Sequence, residues 1–286
     1  MQISNQYLKA NFQSKGAELI SLIKIDTGQE YIWQADPAHW ARFTPILFPI
    51  VGRLKNDRYT HHGHTYAMSQ HGFARDKQFA VVNQSASSIT FSLLSSAETL
   101  ENYPFVFELC ITYTLTENVL NTKYEVKNAG NSEMYFSIGG HPAFKCAMTL
   151  AGTRSDYHLL FDKEETAPAH MLDEGVFSGK TKPSLEGGRL DIRDDLFDDD
   201  ALVYKNLQSS KVTLISKDRK WLTFDFEGFP YLGIWSKSRR SPFVCIEPWY
   251  GLADHREHSG ELSEKEGIQS LKSSEVFACE YAIQIH

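Results

Sequence analysis

Between Phe105 and Val126 the chain alternates with a period of two. Phe105, Phe107, Leu109, Ile111, Tyr113 and Leu115 recur at every second position, and after a break at "TEN" Leu120, Thr122, Tyr124 and Val126 resume the pattern. Successive side chains of a strand point to opposite faces, so this spacing predicts an antiparallel hairpin with one buried face. The pattern recurs. "KVTLIS", the break "KDRK" and "WLTFDFEG" read as a second hairpin, followed by strands at "FPYLGIWS" and "PFVCIEPW". A last strand places Phe277, Cys279, Tyr281, Ile283 and Ile285 on one side. Convincing helical periodicity is absent; "SAETLENYP" and "PAHWARF" are short segments, each long enough for a turn or two. Strands without intervening helices exclude a βαβ architecture and predict antiparallel sheets packed as a large sandwich or barrel. No Pro/Gly/Ser linker and no fixed-period repeat divides the 286 residues, so one domain over 1–286 is expected.

Composition narrows the function classes. A formal net charge of -7 gives no basic footprint for nucleic acid. "MQISNQYLKANF" lacks the apolar core of a signal peptide, and no apolar run approaches the ~20 residues that span a bilayer. The four cysteines, Cys110, Cys146, Cys245 and Cys279, form no CxxC pair, so reduced thiols and a cytoplasmic setting are expected. There is no GxSxG elbow, no P-loop and no GxGxxG before a helix, which removes the signatures of serine hydrolases, phosphate-loop enzymes and dinucleotide enzymes.

Polar groups with chemical potential fall at four places: "FPIVGRLKNDRY" with Gly52 and Arg53, "SQHGFARD" with His71 and Arg75, "GGHPAF" with His141, and "VCIEPWYGLADH" with Glu247 and Trp249. Each sets an ionisable residue at the end of an apolar strand, beside glycine or proline. Collected at one concave face, they would line a polar cleft on a rigid floor. Histidine titrates near neutrality and burial tunes a glutamate, so the set suits proton transfer. The bland readings are a hydrogen-bonded turn histidine for His141, a buried Glu247 paired with Arg53 or Arg75, and a core position for Trp235. "HHGH" at His61, His62 and His64, and "DHREH" at Asp254, His255 and His258, hold ligand-type residues without a strong metal spacing; the first reads as a hairpin turn.

Taken in order, these four stretches resemble the aldose 1-epimerase (galactose mutarotase) superfamily, in its bacterial LacX-like branch. The resemblance runs from about residue 40 to 260, and the strand-rich ends fit it too. It implies a single-domain antiparallel β-supersandwich with a sugar cleft in a concave sheet, and a mechanism without metal or cofactor. By motif, Glu247 would be the base taking the anomeric hydroxyl proton and His141 the acid protonating the ring oxygen, the two facing each other across the sugar ring. His71 and Arg53 would bind the sugar, the glycines of "GGHP" would clear room for it, and Trp249 would offer an apolar face. The family's hydroxyl-gripping aspartate would come from Asp198, Asp199 or Asp200, with Asp200 favoured. "HGFAR" also resembles the hexose-6-phosphate branch, in which Arg53 and Arg75 would hold a phosphate. The expected partner is a small-molecule sugar, with neither nucleic acid nor membrane, for a monomer or homodimer. Alternatives from other classes are a non-catalytic carbohydrate-binding protein on this fold, a glycoside hydrolase or lyase needing a second carboxylate, and a metal-dependent cupin-like enzyme.

Overall fold

A computed structural model describes residues 1–146, 153–217 and 219–286. Two large antiparallel sheets dominate it. The nine-stranded sheet runs, in spatial order, Arg189–Asp191, Tyr157–Phe161, Lys211–Ser216, Arg219–Asp225, Val276–Ile285, Val119–Asn128, Phe107–Thr116, Ser88–Leu94 and Ala80–Gln84. The expected first hairpin lies at its centre, with Leu115 paired to Leu120 and every alternating apolar residue from Phe107 to Val126 buried. The second hairpin and the terminal strand join the same sheet. The HHGH segment is a turn between strands Arg58–His61 and His64–Ala67. "SAETLENYP" forms a short helix, Ala97–Asn102, whose N-terminus is closed by a reciprocal Ser96–Thr99 capping box. "PAHWARF" supplies a single turn at 37–39. Among the described residues no helix is long and apolar enough to cross a membrane.

The eight-stranded sheet carries the site. Its order is Val176–Lys182, Ala169–Asp173, Leu202–Lys205, Tyr231–Trp235, Phe243–Tyr250, Ile138–Gly140 and Ile46–Leu47, with Ala143–Lys145 also paired to Phe243–Tyr250. The strand Phe243–Tyr250 is buried on both faces until Tyr250, which explains its near-continuous apolar run. Val244 and Ile246 face the main core shared with the nine-stranded sheet, where Phe144 packs against Phe224. Phe243, Cys245 and Trp249 face the opposite way, into two smaller apolar clusters on the concave side. Glu247 lies on that same concave face, two residues from each neighbour.

The glycines around this strand correct one expectation. A Cβ on Gly139 would lie 2.7 Å from the Trp249 ring, and one on Gly233 would lie 2.5–2.6 Å from it. These two residues flank the indole from strands on either side, so their missing side chains are the slot for Trp249. A Cβ on Gly140 would press the Tyr124 hydroxyl and Tyr281 at 3.0–3.2 Å in the core. The glycines before His141 therefore make room for packing within the protein rather than for a sugar. We predict that Gly233→Ala, which overfills this slot, lowers stability by about 1–3 kcal/mol, read from urea denaturation. An unchanged midpoint would show that Trp249 can move aside freely.

Candidate active site

His141 and Glu247 meet through strand register. Gly139 pairs with Trp249 and Ala143 with Cys245; the two short strands share one register, which sets His141, in the link between them, opposite Glu247. Directly opposed residues on neighbouring strands hold their Cβ atoms within reach. The result is 3.2 Å between His141 Nε2 and Glu247 Oε2, with both side chains buried. Glu247 comes from the strand Phe243–Tyr250, and His141 from the two-residue link between Ile138–Gly140 and Ala143–Lys145. They do not stand on opposite sides of a ring-sized gap, because the sheet holds them as next neighbours.

This pair forms part of a cavity of about 300 Å³, also lined by Trp40, Gln70, His71, Arg75, Asp200, Trp235, Lys237 and Trp249. That volume is at the lower end of the ~300–1,000 Å³ typical of small-molecule sites. His71 reaches it from a strained turn, with φ of +65°. Its Nδ1 accepts the Gly52 N–H at 3.1 Å, so the neutral ring carries its proton on Nε2 as a donor. Burial keeps this ring neutral, its pKa well below the usual histidine range, with the nearby His141 and Arg75 adding to the effect.

Of the three consecutive aspartates, Asp200 alone lines the cavity. Its φ of +75° turns the chain there, and one carboxylate oxygen accepts the Ala201 N–H at 2.8 Å. Asp198 is held by Arg239 at 2.9 Å, and Asp199 is solvent-exposed opposite Lys182. Arg75 lines the cavity; its Nε lies 3.8 Å from Asp76 without a hydrogen bond, its Nη2 donates to the Gln70 carbonyl at 2.6 Å, and burial lowers its pKa to about 10. Arg53 is not among the lining residues. Its guanidinium forks onto Asp57 at 2.7 and 2.8 Å, and Nη1 donates to the Glu174 carbonyl beside the lining residue Gly175. Trp249 is boxed in as described, so its ring forms floor rather than a free platform.

Other lining residues matter to the chemistry. Trp235, read as core in its apolar strand, borders the cavity edge-on to His141 at 5.5 Å. Lys237 follows it in the next turn. Trp40 stacks over the His141 ring, centroids 5.0 Å apart and planes at 28°. It comes from a loop with no periodic signal, and only its place in "PAHWARF", just ahead of the first motif, could have drawn attention to it.

Charge in the site is governed by burial. Glu247 has its pKa raised well above the carboxylate range, first by burial and then by Asp200; the Trp249 indole N–H nearby pulls the other way without closing a hydrogen bond. His141 is pushed far below the ordinary histidine value, again by burial first, with Arg75 and Arg42 contributing. Both shifts disfavour the charged forms and so favour a neutral carboxyl beside a neutral imidazole. His141, Cys245 and Glu247 each offer a metal-ligand atom, all within 4.8 Å. Burial and the adjacent Glu247 hold the Cys245 proton on, however, and a metal needs the thiolate.

Two facing sheets with a polar, acid- and base-bearing cavity on a concave face define a protein of the galactose mutarotase-like β-supersandwich class. The aldose 1-epimerase family model matches residues 1–268. A chromosomal LacX protein of Lactococcus lactis subsp. lactis is 36% identical over 296 aligned positions, covering 100% of this chain and 99% of that protein. The solved structure of a galactose mutarotase related enzyme from Lactobacillus acidophilus superposes with a TM-score of 0.95 at 36% identity, over 100% of this chain and 97% of that one. A galactose mutarotase-like protein from Lactobacillus casei gives 0.94 at 34%, over 100% and 99%. The chain belongs to the aldose 1-epimerase family, in its LacX-like branch. Mutarotase-like activity on a carbohydrate is the general activity of that fold, and the chain is an enzyme of that superfamily.

The proton count makes a stability prediction. Between the ordinary carboxylate and histidine pKa values of 4.5 and 6.5 the unfolded chain also holds one proton on these two residues, on His141. As pH rises past the ordinary histidine value the unfolded chain loses that proton, and the raised Glu247 pKa delays its loss from the folded protein. Wild-type stability therefore falls as pH rises past that point, by up to about 1.4 kcal/mol per unit. Glu247→Gln has no such carboxyl, so its stability relative to the wild type should rise as pH climbs above 4.5, the ordinary carboxylate value at which the unfolded Glu247 ionises. Denaturation curves that shift in parallel for both proteins would refute the raised pKa.

Proposed function

We propose that the protein interconverts the α and β anomers of an aldose by acid/base ring opening, with Glu247 as base and His141 as acid. The observation that carries this reading is the buried His141–Glu247 pair, 3.2 Å apart in a sugar-sized polar cavity. The hydroxyl oxygen and the ring oxygen of a pyranose are bonded to the same anomeric carbon. Neighbouring groups on adjacent strands can therefore address both at once. Moving the pair's single proton from the carboxyl to the imidazole creates the base and the acid together, without uptake from solvent. Glu247 then takes the anomeric hydroxyl proton as His141 protonates the ring oxygen, and the C1–O5 bond breaks to give the open aldehyde. Rotation about C1–C2 presents the other carbonyl face, and the reverse transfers close the ring.

The surrounding groups fit sugar hydroxyls. His71 offers an Nε2–H donor, Asp200 an oxygen acceptor, and Arg75 a guanidinium at the cavity wall. Arg53, tied to Asp57, is given the role of holding the Glu174–Gly175 turn. A second reading, a hexose-6-phosphate substrate, draws on a different observation. Lys15, Arg42 and Arg75 approach the single carboxylate of Asp76 at 3.2–3.8 Å, beside the cavity wall formed by Arg75 and Trp40. Lys237 adds a cation with no ion pair among the described residues.

The test is anomer exchange by polarimetry or NMR on freshly dissolved glucose, galactose, xylose and the 6-phosphates of glucose and galactose. Acceleration of free sugars supports the first reading; acceleration of the esters alone moves Arg75 into a phosphate clamp. We predict that Glu247→Gln and His141→Asn each lower kcat by about 10²–10⁴-fold, with sugar binding still measurable by calorimetry. The double variant should lose little more than either single one, because the two act as a unit. Wild-type rates in both single variants would overturn the assignment. Saturable binding with no acceleration by the wild type would make this a sugar-binding protein.

A further inference from the structure

The Trp40 loop is fixed by contacts that its irregular backbone conceals. The Trp33 indole donates to the Trp40 carbonyl at 2.8 Å, and the Trp40 N–H donates to the Asp36 carbonyl at 2.9 Å. Beyond it, the Phe43 and Thr44 N–H groups both donate to the buried Glu18 carboxylate at 2.9 Å. The indole so placed stacks on His141 and also on Phe243, at 5.6 Å and 23°. Trp235 and His71 meet the same imidazole edge-on, at 5.5 and 5.6 Å. Its Nδ1 has no hydrogen-bond partner.

A buried imidazole that must become cationic during ring opening needs support for that charge. Of the charged and titratable groups around it, Arg75 and Arg42 oppose the cation, and His71 and the Cys245 thiol stay neutral. Glu247 favours it, as does a main-chain contact of His141 itself. The remaining favourable contact is the π-face of Trp40. An indole face attracts a cation within about 6 Å of its centroid, most strongly where water is excluded.

We propose that Trp40 is a positioning residue for the reaction: its stacked indole stabilises the protonated form of His141 and holds the ring in the plane that points Nε2 at the reacting oxygens. This rests on the acid/base reading above. The experiment compares Trp40→Leu with Trp40→Phe, each checked for an intact fold by thermal melting. The leucine variant should lose about tenfold in kcat, more than its KM rises, and phenylalanine should restore most of the loss. The imidazole 15N shifts of His141, followed through an acid titration of the free protein, should show protonation moving about one pH unit lower in the leucine variant. A rise in KM at constant kcat, or equal losses for leucine and phenylalanine, would make Trp40 a wall of the cavity and overturn the proposal. An unshifted His141 titration overturns it without reference to activity. Absence of turnover by the wild type on every sugar would remove the acid/base reading and Trp40's part in catalysis with it.

Discussion

A carboxyl group buried in the middle of a sheet, with an imidazole as its cross-strand neighbour, is the constraint around which the rest of the molecule is arranged. Placing Glu247 at a fully buried position of Phe243–Tyr250 is costly, because the interior disfavours its charge. The costly position is tolerated because the partner is just as deeply buried and the two hold one proton between them. Removing water also fixes the geometry. Neither side chain can rotate away, since apolar packing closes in from Trp40, Trp235, Phe243 and Trp249.

The surrounding architecture keeps those walls in place. The nine-stranded sheet backs the strand through Val244 and Ile246, so the concave face inherits the rigidity of the main core. Gly139 and Gly233 let an indole lie across the strand, which brings Trp249 into the floor without displacing Glu247. Turns with left-handed residues then deliver the polar groups, His71 and Asp200, over the rim. The buried Lys265–Asp254–His258 network anchors the segment after the strand, next to Ala253, which also lines the cavity. In the proposed mechanism the sheet supplies the reacting groups and loops supply those that face the rest of the sugar, a division that would let substrate preference change without disturbing the pair.

Much of this was legible in the chain. Alternation at Phe105–Val126 and in the terminal strand showed the sheets, because burying one face of a strand writes a period of two into the sequence. Glu247 and His141 stood out as polar breaks in apolar strands. What stayed hidden depends on partners distant in sequence. Arg53 reads as a free cation until Asp57, four residues on, is seen to fork onto it. The choice among Asp198, Asp199 and Asp200 turns on one left-handed residue. The glycines at 139 and 140 signalled close approach, but the approaching groups are Trp249, Tyr124 and Tyr281. Trp40 lies in a loop, where no periodicity marks which side chain turns inward.

The raised pKa of Glu247 beside His141 underlies the proposed chemistry. Infrared difference spectroscopy between the wild type and Glu247→Gln, recorded near neutral pH on the free protein, reads the carboxyl proton directly. A carbonyl stretch of a protonated carboxylic acid, present in the wild type and lost in the variant, is the predicted result. An ionised Glu247 carboxylate at neutral pH, with no carboxylic-acid band removed by the substitution, would contradict it.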